Sequence, residues 1–151
     1  MDTKAKIDVL NKLLEAEIVA IEFYQIHSDS IVENDIAEGV KAIIPAEKSH
    51  AINLATRIRE LGGEPIDPSG DAGRGGKQLG EDTKKQGTMG MLRLELENEQ
   101  QAIKDYAIPV AEILDDIETM EMLEEQLFDE MRHAKWLKKK ILELKGKFES
   151  Y

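Results

Sequence analysis

The sequence predicts an all-α chain: an antiparallel four-helix bundle with a long crossover between its second and third helices. Three observations carry that prediction. Apolar residues recur at alternating spacings of three and four along four separate stretches, which is the period of one helix face. Aromatic residues make up only 5% and charged residues 34% of the 151 residues, a balance that favours helices over sheets. Between about 62 and 90 the periodicity stops and Gly, Pro, Asp and Lys dominate. A segment that long lets the chain run back along a bundle, so that the next helix starts at the far end.

The first helix is expected to begin at Asp2 or Thr3 and run to about Glu33, with Ile7, Leu10, Leu14, Glu17, Ile21, Tyr24, Ser28 and Ile31 on one stripe. Asn34-Asp35 makes a tight turn. The second helix runs to about Leu61, carrying Val40, Ile43, Glu47, His50, Leu54 and Leu61 along its seam. Pro45 removes a hydrogen bond to residue 41 and is expected to kink this helix, either aiming the residues that follow or simply being tolerated. Gly62-Gly63 supplies its stop. The third helix has the seam Met89, Leu92, Leu96, Glu99, Ile103, Tyr106, Val110 and Ile113, with Pro109 kinking its later part. After a turn at Asp115-Asp116, the fourth is seamed by Met120, Leu123, Leu127, Glu130, Ala134, Leu137, Ile141 and Leu144. In the crossover, Gly70 to Gly76 lacks the Gly-Lys-Ser/Thr ending of a phosphate-cradling loop and no strand precedes it.

Composition narrows the classes. The chain reads as one domain, 1–151, large enough for a real core. It contains no cysteine, which excludes disulfides, iron–sulfur clusters and a rubredoxin-type iron site. No apolar run approaches the ~20 residues of a membrane span. Met1-Asp2-Thr3-Lys4 lacks the apolar stretch of a signal peptide, so a cytoplasmic location is expected. A formal net charge of −11 argues against a nucleic-acid surface and for attraction of cations. Lys138-Lys139-Lys140 reads as a solvated run that suits a helix C-terminus.

Each seam carries one central Glu: Glu17, Glu47, Glu99 and Glu130. Two of them open a Glu-x-x-His, with His50 and His133, and residues three apart share a helix face. A carboxylate with a neutral imidazole nitrogen suits iron, manganese or zinc. Four buried carboxylates without partners would cost several kcal/mol each. Two divalent ions would offset four carboxylate charges while two imidazoles complete the shell. An internal repeat supports the choice of Glu99 on the third helix. Glu17, Ala20, Ile21 and Tyr24 are echoed by Glu99, Ala102, Ile103 and Tyr106, and each Glu precedes the next Glu-x-x-His by 30 or 31 residues. Glu95 is a candidate extra ligand. Tyr24 and Tyr106 lie two turns beyond their glutamates, either as core aromatics or with hydroxyls on the opposite hairpin's carboxylate. His27 is expected to be an ordinary surface or interface residue, and Trp136 to serve core or subunit packing.

One Glu from each of two helices and Glu-x-x-His from the other two resembles the ligand pattern of ferritin-like di-iron bundles. The resemblance covers the whole chain. Leu10-Asn11-Lys12-Leu13-Leu14 through Glu17, with Ala20-Ile21 and Tyr24, is similar to the first helix of bacterioferritins. His50 ahead of Arg59-Glu60-Leu61-Gly62-Gly63-Glu64-Pro65 is similar to bacterioferritin-like and rubrerythrin-like proteins. The resemblance implies two irons, with manganese an alternative at either position, Glu17 and Glu99 as terminal ligands, Glu47 and Glu130 bridging, and His50 and His133 terminal. It implies a ferroxidase that oxidises Fe(II) with O2 or H2O2 for iron storage or detoxification, in a homo-oligomer between a dimer and a cage. Departures bear on this. Lys48 stands where bacterioferritin has its haem-ligating Met, which argues against haem there, and an end at Tyr151 leaves little room for a short fifth helix. The sequence holds no cysteine from which the rubredoxin domain of rubrerythrins could be built. The alternative implied is a rubrerythrin-like di-iron oxidase or peroxidase that stores no iron. A third is a structural or DNA-protecting mini-ferritin-like bundle.

Overall fold

A computed structural model of the protein describes residues 1–149; Ser150 and Tyr151, the end of the expected 1–151 domain, lie outside the described residues. Five α-helices follow one another: α1 (Thr3–Ser30), α2 (Asn34–Glu60), α3 (Asp71–Thr83), α4 (Gly87–Glu112) and α5 (Ile117–Glu149), with a single 3₁₀ turn at Lys84–Gln86. The four long helices form a ferritin-like antiparallel bundle, and no strand occurs among the described residues.

Each helix starts or stops for a local reason. Asp2 caps α1, its carboxylate accepting from Ala5 N at 2.8 Å. At the other end α2 closes through Gly62, whose φ of +88° is the left-handed conformation a side chain disfavours. Asp116 caps α5 by accepting from Thr119 N (3.1 Å) and Thr119 Oγ1 (2.6 Å). The same carboxylate accepts from Arg57 of α2 at 3.0 Å and from Lys6 of α1 at 3.4 Å. One aspartate therefore ties three helices together at this end of the bundle. Its hydrogen bonds outweigh the cost of burial and hold its carboxyl below the usual range. Pro45 is exposed and α2 runs through it unbroken, while Pro109 lies in the last turn of α4.

Two apolar clusters fill the bundle. One gathers Phe23, Val40, Ile43, Met91, Leu92 and Leu137; the other gathers Leu10, Leu14, Leu54, Ile58, Tyr106 and Leu123. Along α1 and α5 the chain passes from the second cluster to the first, and along α2 and α4 from the first to the second. Hence α2 and α4 run parallel, and their connection has to return the length of the bundle. On all four helices the central glutamates fall between the two clusters, so the apolar packing frames a polar middle layer.

The crossover departs from its expected form. It is not structureless: residues 71–83 form α3, which packs along α1. Four glycines within residues 71–83 hide this helix from a propensity reading, since each costs about 1 kcal/mol relative to Ala. The docking explains two of them. A Cβ on Gly76 would lie 2.5 Å from Val19 O, and one on Gly80 would lie 2.8 Å from Ile26 Cδ1. The bare edge of α3 thus meets α1 closer than any side chain would permit. Asn11 fixes the preceding linker by donating to Glu64 O (3.1 Å) and accepting from Ile66 N (3.0 Å). Trp136 is half-buried against the first cluster, in keeping with a packing role.

Candidate metal centre

Glu17 of α1, Glu47 and His50 of α2, Glu99 of α4, and Glu130 and His133 of α5 meet in the middle layer. They form two groups in which all ligand atoms lie within 4.8 Å of one another: Glu17, Glu47, His50 and Glu130, and Glu47, Glu99, Glu130 and His133. Glu47 and Glu130 belong to both. His50 Nδ1 is 3.0 Å from Glu130, 3.5 Å from Glu17 and 3.7 Å from Glu47. His133 Nδ1 is 3.3 Å from Glu47, 3.6 Å from Glu99 and 3.9 Å from Glu130. Five of the six side chains are at most 3% exposed; His133 is 14% exposed.

These short separations are not hydrogen bonds. Eight buried side-chain atoms among the described residues lack a hydrogen-bond partner: Glu17 Oε2, Glu47 Oε1, His50 Nδ1, Glu95 Oε2, Glu99 Oε2, both Glu130 oxygens and His133 Nδ1. Seven of them belong to the six residues of the two groups. Buried polar atoms are normally satisfied, and each exception needs a reason. Here one reason covers seven: they belong to six residues that each bring a ligand atom within 4.8 Å of the others in their group, which is how ligands are arranged.

The groups are held from behind. Tyr24 Oη donates to Glu99 Oε1 at 2.6 Å and Tyr106 Oη to Glu17 Oε1 at 2.8 Å, each crossing from one hairpin to the other. Each bond occupies one carboxylate oxygen and leaves the second free. Gln126 Nε2 donates to Tyr106 Oη at 2.9 Å. Asp129 Oδ2 lies 2.8 Å from His50 Nε2. With Nε2–H held by Asp129, the His50 ring turns Nδ1 to the centre. Sequence reasoning missed Asp129 and Gln126. Asp129 adjoins the motif, but in an acidic helix nothing marks it out before the neighbouring helix is in place.

Crowding of like groups has electrostatic consequences. Burial, reinforced by the charges of Glu17, Glu130 and Glu99, pushes the Glu47 carboxyl well up. Burial likewise raises Glu130 to about 9. For His50, burial alone would lower the pKa, but Glu130, Glu17 and Asp129 around it outweigh that and raise it to about 10. Without a cation, then, the centre holds protons in its place.

His27 corrects a sequence expectation. It is no surface residue: its side chain is fully buried, with Nδ1 2.9 Å from Glu95 Oε1 and Nε2 2.7 Å from Thr83 Oγ1. Its carboxylate partner comes from α4 and its hydroxyl partner from α3, a helix the sequence pattern hides.

A cavity of about 40 Å³ opens between α1 and α4 onto Glu17, Glu47 and Glu130, past Ala16, Ala102 and Gln101. None of the helices among the described residues is long and apolar enough to cross a membrane.

Comparison with known proteins agrees with this fold. The chain is 46% identical over 68 residues to the bacterioferritin of Desulfovibrio desulfuricans, a match covering 42% of this chain and 38% of that protein. It therefore spans well under half of that relative's length. Among solved structures it is similar to the bacterioferritin-related protein of Bacteroides fragilis, described as a dodecameric thioferritin. The TM-score is 0.84 with 21% identity over 100% of this chain and 92% of that one, a likeness of fold. The ferritin-like domain family model matches residues 7–146, and the chain belongs to that family.

Proposed function

We propose that this protein is a ferroxidase in which Glu17, Glu47, His50, Glu99, Glu130 and His133 bind two ferrous ions as substrate. The observation that carries the reading is that seven of the eight unsatisfied buried side-chain atoms among the described residues belong to these six residues, which bring their ligand atoms together in two groups. Glu47 and Glu130, common to both groups, bridge the two positions, and a pair held about 3.5–4 Å apart suits joint two-electron chemistry. Each ion gives up one electron. O2 accepts the two electrons with two protons and leaves as H2O2; if H2O2 is the oxidant, two electrons and two protons convert it to two waters. The small opening beside Ala16 and Ala102 supports direct access for a cation or O2 to the Glu17 side.

The chain's own residues supply orientation and charge. Tyr24 and Tyr106 each hold one oxygen of Glu99 and of Glu17, which fixes the two carboxylates in place and leaves their other oxygen without a hydrogen bond. Asp129 fixes the His50 tautomer. Four carboxylates and two neutral imidazoles balance two divalent ions, and their N/O donor set also accepts manganese. We place the protein in the cytoplasm, as a homo-oligomer that passes ferric product to storage; the dodecameric assembly of the Bacteroides fragilis relative supports the oligomer. Lys48, exposed on α2, offers no haem ligand at the position where bacterioferritins carry one.

Anaerobic Fe(II) titration followed by air, with light scattering on the same sample, tests this. Two tightly bound irons per chain, oxidised quickly in an assembly that continues to take up iron, is the expected result. Two irons in a dimer that stops there would move the assignment to a rubrerythrin-like oxidase. No binding would refute the ligand set.

A further inference from the structure

The eighth unsatisfied atom, Glu95 Oε2, lies outside the six-residue centre. Glu95 and His27 are both fully buried, their Oε1 and Nδ1 2.9 Å apart. The tautomer follows from Thr83. Its hydroxyl hydrogen is committed to Leu79 O at 2.7 Å, so its oxygen accepts from His27 Nε2–H at 2.7 Å. One proton then lies between His27 Nδ1 and Glu95 Oε1, and the pair is neutral whichever atom holds it. Two donors about 2.1 Å from one ion, at right angles, are themselves about 3 Å apart. The pair thus already has the spacing of adjacent ligands, with a proton standing where a cation would sit. Glu99 is one turn of α4 further on, its Oε2 also buried and unpartnered, because Tyr24 occupies the other oxygen.

We propose that His27 and Glu95, together with Glu99, form a third cation position for a first-row divalent metal, beside the Glu99–His133 half of the dinuclear centre. It rests on the reading of Glu99 as a ligand in the preceding section. Binding displaces the proton between His27 and Glu95; Nδ1 becomes the nitrogen donor, and the two carboxylates supply oxygens and the compensating charge. Glu99 has to turn its free oxygen toward Glu95, so this position is weaker than the other two, whose donors already converge. Burial, with the Glu99 charge, raises Glu95, and burial lowers His27 to about 4, which keeps the shared proton in place until a cation arrives.

Anaerobic Co(II) titration of the chelator-treated full chain, read by visible absorption and calorimetry, decides it. The wild type should take up three ions per chain and Glu95→Gln two. That variant keeps the side-chain volume, and its amide can donate to His27 Nδ1, so the junction of α1, α3 and α4 survives. Thermal melting without metal checks that it does. Should Glu95→Gln melt early, His27→Gln provides the second comparison, with the same fall from three to two. Equal uptake by wild type and variants overturns the third position while leaving the dinuclear centre intact. A wild type that binds no Co(II) overturns both readings.

Discussion

The two hairpins present the same ligands but support them differently. Glu17 and Tyr24 recur 82 residues later as Glu99 and Tyr106, and Glu47 and His50 recur 83 residues later as Glu130 and His133. Behind the His50 side stand Asp129 on the imidazole and Gln126 on Tyr106. The repeat places Ala46 and Ile43 at the equivalent positions on the other side. Behind the Glu99 side stands the buried His27–Glu95 pair, whose equivalents are Pro109 and Leu13. A repeated unit therefore built a near-symmetric set of donors, while different neighbours set tautomer, charge and proton content on each side. The two proposed metal positions are therefore chemically inequivalent although their ligand lists match.

The largest break expected in this comparison comes from a residue both halves share. Glu130→Ala should remove both positions and lower the initial rate of Fe(II) oxidation by about 100-fold or more, while circular dichroism retains the helices. Wild-type oxidation by that variant would show that the two groups do not act as one centre. Asp129→Asn acts on one half. Loss of the carboxylate behind His50 should weaken the ion beside it by about 10–100-fold and leave the His133 position nearly unchanged. A two-site Zn(II) competition titration separates the two, and equal weakening of both would deny the inequivalence.

Proton linkage gives a smaller, pH-dependent effect. His50 is raised from 6.5 to about 10 and Glu130 from 4.5 to about 9 in the metal-free fold. A raised group binds more protons folded than unfolded, so its stability contribution is full below the unfolded value and is lost as pH climbs through the folded one. The chelated protein should therefore melt at lower temperature as pH rises from about 6 to 10, and Zn(II) should flatten that slope by taking the place of the protons. A chelated melting temperature that rises over this window would contradict the buried-carboxylate account. The smallest effect is expected at α3. Gly80→Ala pushes a methyl against Ile26 and should cost about 1–3 kcal/mol in denaturant unfolding. The shift of Thr83 should be felt at His27 and not at His50. Nitrogen NMR of the three imidazoles would detect it.

Much of the site was legible because it depends on helical spacing. Glu-x-x-His fixes two side chains on one face whatever surrounds the helix, and an interrupted apolar seam marks the layer where polar groups must be satisfied. His27 was not legible. Its position gives no sign that Glu95, 68 residues away, would reach it. Nor was α3, because helix propensity counts its glycines as losses, whereas the packed structure uses the absence of side chains to bring two backbones together. Asp129 was hidden for the opposite reason: an acidic helix offers many carboxylates, and only the position of α2 selects one.

By itself, then, the sequence determined the four long helices, their antiparallel arrangement with a long crossover, and which faces carry the six candidate ligands. Those features follow from local periodicity, which acts within a few residues. Tertiary structure alone decided that the crossover would be helical, that His27 would be buried against Glu95 and Thr83, and that the two halves of the centre would differ. Those depend on groups distant in sequence meeting in a water-free interior, where a single proton or carboxylate changes the chemistry of its neighbours.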